Sequence, residues 1–214
     1  DHYHPWVDAQ GESPFVWSTL GGVAARTTRI RVGTGVTCPI VRIHPAIVAQ
    51  KAATVAAMSE GRFHLGLGAG ENLNEHVVGR GWPPANVRHE MFGEAIDIIS
   101  ALFDGGYVNY AGDHFRVDSA KVWDLPEQRV PIGVAVSGGQ SIEKFAPKVD
   151  HLIAVEPEAD LVSTWDQAVD GRESRKIGQL PICWDLDRSK AVERAHSQFR
   201  WFGGGWKVNA ELPG

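Results

Sequence analysis

The chain has 214 residues, 43% of them hydrophobic, and a formal net charge of −5, enough apolar material for a sizeable globular core. The negative balance, with Arg26, Arg29, Arg31 and Arg42 scattered among β-forming residues rather than gathered in a stripe, argues against a nucleic-acid partner. No apolar run approaches the roughly 18 residues of a membrane span, which argues against a membrane protein.

In chain order, a polar-aromatic cluster, Asp1-His2-Tyr3-His4-Pro5-Trp6, comes first. A helix is predicted over 13–25, with Ser13 as cap and Pro14 in its first turn. The β-branched stretch 30–36 reads as a strand, and the Ala-rich 45–58, with Pro45 near its start, as a helix. RFHLGLG, 62–68, is a buried strand. Residues 87–103 form the clearest amphipathic helix, Met91, Ala95, Ile98, Ile99 and Leu102 recurring at helical spacing. A hairpin about Ala111-Gly112-Asp113 spans 107–117. Then follow a strand at 131–136, a short helix to about Phe145, a strand at 151–155 and a helix from Ala159. Gly171 to Lys176 reads as a solvated loop, 180–185 as a strand and 188–202 as a helix.

This β/α alternation predicts an α/β protein with a helix-covered parallel sheet. An open doubly wound sheet and a closed barrel both fit. Polar clusters following several different strands favour a (β/α)8 TIM barrel. With neither an initiator Met nor a signal-peptide pattern at Asp1, and with five strands where eight are needed, the chain reads as one barrel domain, 1–214, clipped at both ends. Cys38 and Cys183 lie far apart, which suits buried free thiols and a cytoplasmic setting.

Four clusters can carry chemistry. In the first, a histidine such as His2 can act as a general base, Asp1 can order a ligand or the imidazole, and Trp6 offers a flat apolar wall. His2-x-His4 can also supply two metal ligands, but the later strand ends carry no further histidine, so no metal is expected. The glycines of Gly33-Thr34-Gly35-Val36 permit close approach of a planar ligand or a simple bulge. Gly66-Leu67-Gly68-Ala69-Gly70-Glu71-Asn72-Leu73-Asn74-Glu75 resembles a dinucleotide fingerprint only superficially, because a long loop with Trp82-Pro83-Pro84 follows it. Glu71 there can donate a proton and Asn74 can contact a cofactor; a helix-capping loop is the alternative. Ser137-Gly138-Gly139-Gln140 opens a helix and suits either a phosphate or a plain turn.

Together DHYHPW, GESPFVW, RVGTGVTCP, HPAIVAQ, GRFHLGLGAGENLNE, GWPP, VSGG and ICW resemble the luciferase-like superfamily. The resemblance is closest to the F420-dependent oxidoreductases around F420-dependent glucose-6-phosphate dehydrogenase. It implies coenzyme F420 as cofactor and a small-molecule alcohol or carbonyl as substrate. Asp1 would contact the deazaflavin, His2 would take the hydroxyl proton, Trp6 would line the ring, and Glu71 would supply a proton toward N1. Asn74, Ser137, Gly138 and Gly139 would bind the cofactor, the last two at its phosphate. Gly35-Val36 would form a non-prolyl cis peptide behind the ring. The resemblance also implies a homodimer. One departure stands out: Val155-Glu156-Pro157-Glu158-Ala159-Asp160 is acidic where the sugar-phosphate dehydrogenase carries a phosphate clamp, which disfavours glucose 6-phosphate. An FMN-dependent monooxygenase and a non-catalytic flavin-binding barrel are the alternatives.

Overall fold

The computed structural model describes residues 1–154, 158–199 and 210–213. Its main elements are α1 (Val16–Arg26), β1 (Val32–Gly33), α2 (Pro45–Met58), β2 (Phe63–Leu67), α3 (Asn72–Glu75) and α4 (Ala85–Phe103). After these come β3 (Val108–Ala111), β4 (Arg116–Ala120), β5 (Ile132–Ala135), α5 (Gly139–Phe145), β6 (His151–Ala154), α6 (Ala159–Ala168), β7 (Lys176–Gly178) and α7 (Arg188–Phe199).

Five strands pair in parallel in the order β1-β2-β5-β6-β7, which is chain order apart from the separate β3-β4 hairpin. Each crossover therefore steps one place in the same direction. A doubly wound sheet would reverse that order at a switch point, so the arrangement is part of a (β/α)8 barrel.

The two-residue period of the strands sorts their side chains. Phe63, Leu65 and Leu67 of β2, Ile132 and Val134 of β5, and Leu152 of β6 are fully buried. They share one core with Ala49, Ala52 and Ala53 of α2 and Phe92, Ile96 and Ile99 of α4. Each buried Phe, Leu, Ile or Val side chain among them is worth roughly 1.5–3 kcal/mol of transfer free energy. The opposite face carries Gly66, Gly133, His64, His151 and Ile153. A Cβ at Gly66 would run into the Thr34 carbonyl, and one at Gly133 would meet Ile153 Cδ1 at 3.0 Å, so glycine lets Ile153 lie across the sheet.

Helix starts follow their local chemistry. His44 caps α2, its Nδ1 accepting from the Ala46 N–H at 3.2 Å, with Pro45 in the first turn. The Arg62 guanidinium donates to the Ala24, Thr27 and Ile30 carbonyls, closing the end of α1 just before β2. Glu94 of α4 accepts from the N–H groups of Asp113, His114 and Phe115, which fixes the hairpin turn on that helix.

Three expectations need correction. The first helix starts at Val16, not Ser13; the Ser13 hydroxyl instead donates to the His2 carbonyl at 3.3 Å. The strand expected over 30–36 is regular only at Val32–Gly33. Its ladder to β2 breaks at Gly35-Val36 and resumes where Thr37 N donates to the Gly66 carbonyl at 2.8 Å. The strand expected at 180–185 lies earlier, at Lys176–Gly178, inside what read as loop and beyond it. Lys176, Ile177 and Gly178 pair with Leu152, Ile153 and Ala154, whereas Leu180, Ile182, Trp184 and Leu186 are 70–93% exposed. Apolar alternation is present there without a ladder among the described residues. The ends of the strand expected to Val155 and of the helix expected to 202 fall outside the described residues. Among those described, no helix is long and apolar enough to cross a membrane.

Candidate functional site

The site forms where the first loop meets the ends of β1, β2, β5 and β6. A cavity of about 120 Å³ is lined by Asp1, His2, Trp6, Gly35, Val36, Cys38, Gly70, Glu71, Asn74, Glu75, Ala135, Ile153 and Gln179. A second, wider cleft shares Asp1, His2 and Trp6 and continues past Pro5, Pro14 and Val16. His2 and Trp6 therefore stand between two spaces, which suits one space to a cofactor and the other to a substrate. No Lys or Arg lines either space among the described residues.

The first loop is tied down along its length. The amino nitrogen of Asp1 donates to the Val36 carbonyl at 3.0 Å. Its carboxylate accepts from Trp17 Nε1 at 3.0 Å, Arg42 Nη2 at 3.0 Å and Thr37 Oγ1 at 3.3 Å. Asn74 Oδ1 accepts from the Tyr3 N–H at 2.8 Å and the His4 N–H at 3.3 Å, and Asn74 Nδ2 donates to Glu71 Oε2 at 3.2 Å.

His2 Nδ1 lies 3.1 Å from the His4 carbonyl, which can only accept, so Nδ1 carries the proton and Nε2 presents a lone pair. That Nε2 is 3.7 Å from Glu71 Oε2. Burial holds His2 down at about 4 and pushes Glu71 up to about 7. Near neutral pH the pair is thus a neutral imidazole beside a carboxyl group that readily holds its proton. The Trp6 ring packs 4.8 Å from the imidazole at 59°. His4 does not join His2 as a second ligand; its ring stacks on His76 at 5.8 Å. Among the described residues no group of three or more His, Cys, Asp or Glu is placed to hold a metal ion.

The Gly35-Val36 peptide bond is cis, as expected. A Cβ on Gly35 would meet nothing within 4 Å, so this position leaves open space beside the cavity. Of the expected site residues, Asp1, His2, Trp6, Gly35, Val36, Glu71 and Asn74 all line the cavity. Ser137, Gly138 and Gly139 do not line it; they are exposed at the start of α5, two residues beyond Ala135, which does.

Sequence reasoning missed Cys38, Glu75 and Gln179 in the lining, and Arg42 and Trp17 behind it. Glu75 had a readable signal, a second carboxylate in the same short stretch, 70–75, as Glu71 and Asn74. Arg42 had none, since its partners at positions 1 and 75 come together only in the fold.

The family model described as luciferase-like monooxygenase matches residues 1–213. The chain is 46% identical over 141 residues to an F420-dependent hydroxymycolic acid dehydrogenase of Mycobacterium tuberculosis, covering 66% of this chain and 39% of that protein. It is 41% identical over 211 residues to an F420-dependent glucose-6-phosphate dehydrogenase of Amycolatopsis mediterranei, covering 90% of this chain and 62% of that protein. Among solved structures, an F420-dependent secondary alcohol dehydrogenase in complex with an F420-acetone adduct superposes with a TM-score of 0.90 at 28% identity, covering 100% of this chain and 67% of that one. The chain thus spans between about two-fifths and two-thirds of the length of these relatives.

Proposed function

Because the chain belongs to the luciferase-like monooxygenase family, we propose that it is the cofactor-bearing part of an F420-dependent oxidoreductase that interconverts an alcohol and a carbonyl compound. The observation that carries this reading is the pairing of His2 Nε2 with Glu71 at the edge of the cavity, 3.7 Å apart, a neutral imidazole beside a carboxyl group that readily holds its proton.

The residues present fit a flat cofactor. Gly35 leaves its Cβ position open, Val36, Ala135 and Ile153 supply an apolar wall, and Glu71 and Asn74 form a polar rim. Bound F420 would accept or donate the hydride at its deazaflavin ring. Asp1, Gly35, Val36 and Asn74 would hold that ring, and Ser137, Gly138 and Gly139 its phosphate. His2 Nε2 removes the proton of the substrate hydroxyl as it becomes a carbonyl, and Trp6 packs against the imidazole to keep it oriented. Glu71, beside His2, holds a proton for the cofactor's use. A positioned base of this kind contributes about 10²–10⁴-fold.

The substrate in this reading bears no phosphate. No cation lines either space among the described residues, and Glu158 and Asp160 add negative charge near the end of β6; Val155-Glu156-Pro157, the rest of the acidic stretch, lies outside the described residues. The same reading carries a cytoplasmic homodimer whose single barrel domain includes residues 1–214.

Titration with F420, FMN and nicotinamide cofactors tests it, followed by a panel of secondary alcohols and ketones with the tight binder. F420 is expected to bind and turn over. Tight binding of FMN with none of F420 would instead support a flavin monooxygenase, and F420 binding without turnover a non-catalytic barrel.

A further inference from the structure

Arg42 lines neither cavity, yet it joins the two halves of the site from behind. Its guanidinium, 8% exposed, donates through Nη2 to the Asp1 carbonyl at 2.7 Å and to Asp1 Oδ1 at 3.0 Å. Its Nε reaches Glu75 Oε1 at 3.5 Å, and its own backbone N–H donates to Glu75 Oε2 at 2.6 Å. The Asp1 and Glu75 side chains are both 0% exposed.

Asp1 immediately precedes His2, and Glu75 ends the single turn of α3 that Glu71 precedes as its N-cap, the Glu75 N–H donating to the Glu71 carbonyl at 3.2 Å. A guanidinium forks rigidly between two acceptors, a geometry a lysine ammonium cannot reproduce. We propose that Arg42 is a positioning residue, which fixes the separation of His2 Nε2 and Glu71 by holding Asp1 and Glu75 at once. Asn74 ties the same two segments further along, at Tyr3 and His4. Arg42 is the clamp on the N-terminal side of His2.

The inference rests on the acid–base roles of His2 and Glu71 in the proposed function, but its test does not rest on turnover alone. Arg42→Lys keeps a buried positive charge and loses the fork. Per folded molecule, its kcat is expected to fall by ~10²-fold, as for other small misplacements of reacting groups. In the protein without cofactor, the His2 ring resonances and their pH titration, followed by NMR, are expected to shift toward those of a solvent-exposed imidazole.

Should Arg42→Lys fail to fold, the double variant Arg42→Met with Glu75→Gln removes the charge together with one partner and so leaves less uncompensated charge in the interior. The same loss of kcat and the same His2 shift are expected of it. A lower melting temperature with wild-type kcat per folded molecule and unmoved His2 resonances would make Arg42 merely structural and overturn the proposal. A wild-type protein without alcohol turnover would defeat the functional reading instead, and the His2 resonances would still decide the role of Arg42.

Discussion

Leu65 and Gly66 are neighbours in β2, and both are buried, yet they answer to different demands. Leu65 points into the helix layer among Phe63, Leu67, Ile132 and Val134, where any apolar shape that fills the space would serve. Gly66 points to the other side, where a single added carbon would strike the Thr34 carbonyl and Ile153. The sheet therefore has one face given to cohesion and one to keeping room below the cavity. The two-residue period lets both demands be met by alternate positions of a five-residue strand. Polar chemistry then collects at the strand ends, carried by loops whose backbone the sheet holds in place.

If the division is real, it should separate under mutation. The largest effect is expected at the mouth: His2→Ala should lower kcat/KM for an alcohol by about 10²–10⁴-fold, the usual worth of a positioned base. Its melting temperature should change little, because the ring is about one-third exposed. Steady-state kinetics and thermal unfolding on one preparation check both halves. A variant that lost stability but kept turnover would reverse the assignment.

The helix-covered face should show the opposite pattern. Leu65→Ala is expected to cost about 2–5 kcal/mol in urea unfolding, as for other fully buried leucines. The fraction that remains folded should turn over at the wild-type rate. Loss of kcat in that fraction would mean that the core face also sets the geometry of the site.

A subtler test uses pH. Glu71 titrates at about 7 in the folded protein against an ordinary 4.5, so the folded state binds more protons between those values. Its contribution to stability is full below about pH 4.5 and lost as pH rises through 7. His2 titrates at about 4 against 6.5, so the unfolded state binds more protons in that window, and its contribution is present above 6.5 and lost as pH falls through 4. In the wild type the two slopes oppose one another between 4.5 and 6.5. Glu71→Gln removes one, so its stability relative to wild type should rise with pH across that window. One proton gives at most about 1.4 kcal/mol per pH unit, and the partly exposed His2 gives less. His2→Ala should show the reverse trend between about pH 4 and 6.5. Parallel pH profiles for both variants would mean that these groups titrate as they do in the unfolded chain.

What could be read from the sequence follows the same division. The helices 45–58 and 85–103 and the strand at 63–67 were legible because periodicity and burial agree there. His2, Trp6, Glu71 and Asn74 were legible because they cluster in two short stretches. The resemblance to a known family, not spacing, pointed to the Gly35-Val36 bond. Arg42 was illegible for a physical reason: a scattered arginine gains its role from partners 41 residues before it and 33 after it, and no local pattern encodes that.

The stretch after β7 shows where alternation misleads, and it gives the smallest predicted effect. Leu180, Ile182, Trp184 and Leu186 repeat every second residue as Phe63, Leu65 and Leu67 do, yet they pair with no strand among the described residues and are 70–93% exposed. A period of two specifies which side chains share a face; it does not supply the neighbour that would cover that face. Leu186→Ser should accordingly change the unfolding free energy by no more than about 0.5 kcal/mol, the range of an ordinary surface substitution, where Leu65→Ala costs several. A loss at Leu186 approaching that at Leu65 would show that the stretch is covered in solution, and its alternation would then be that of a strand after all.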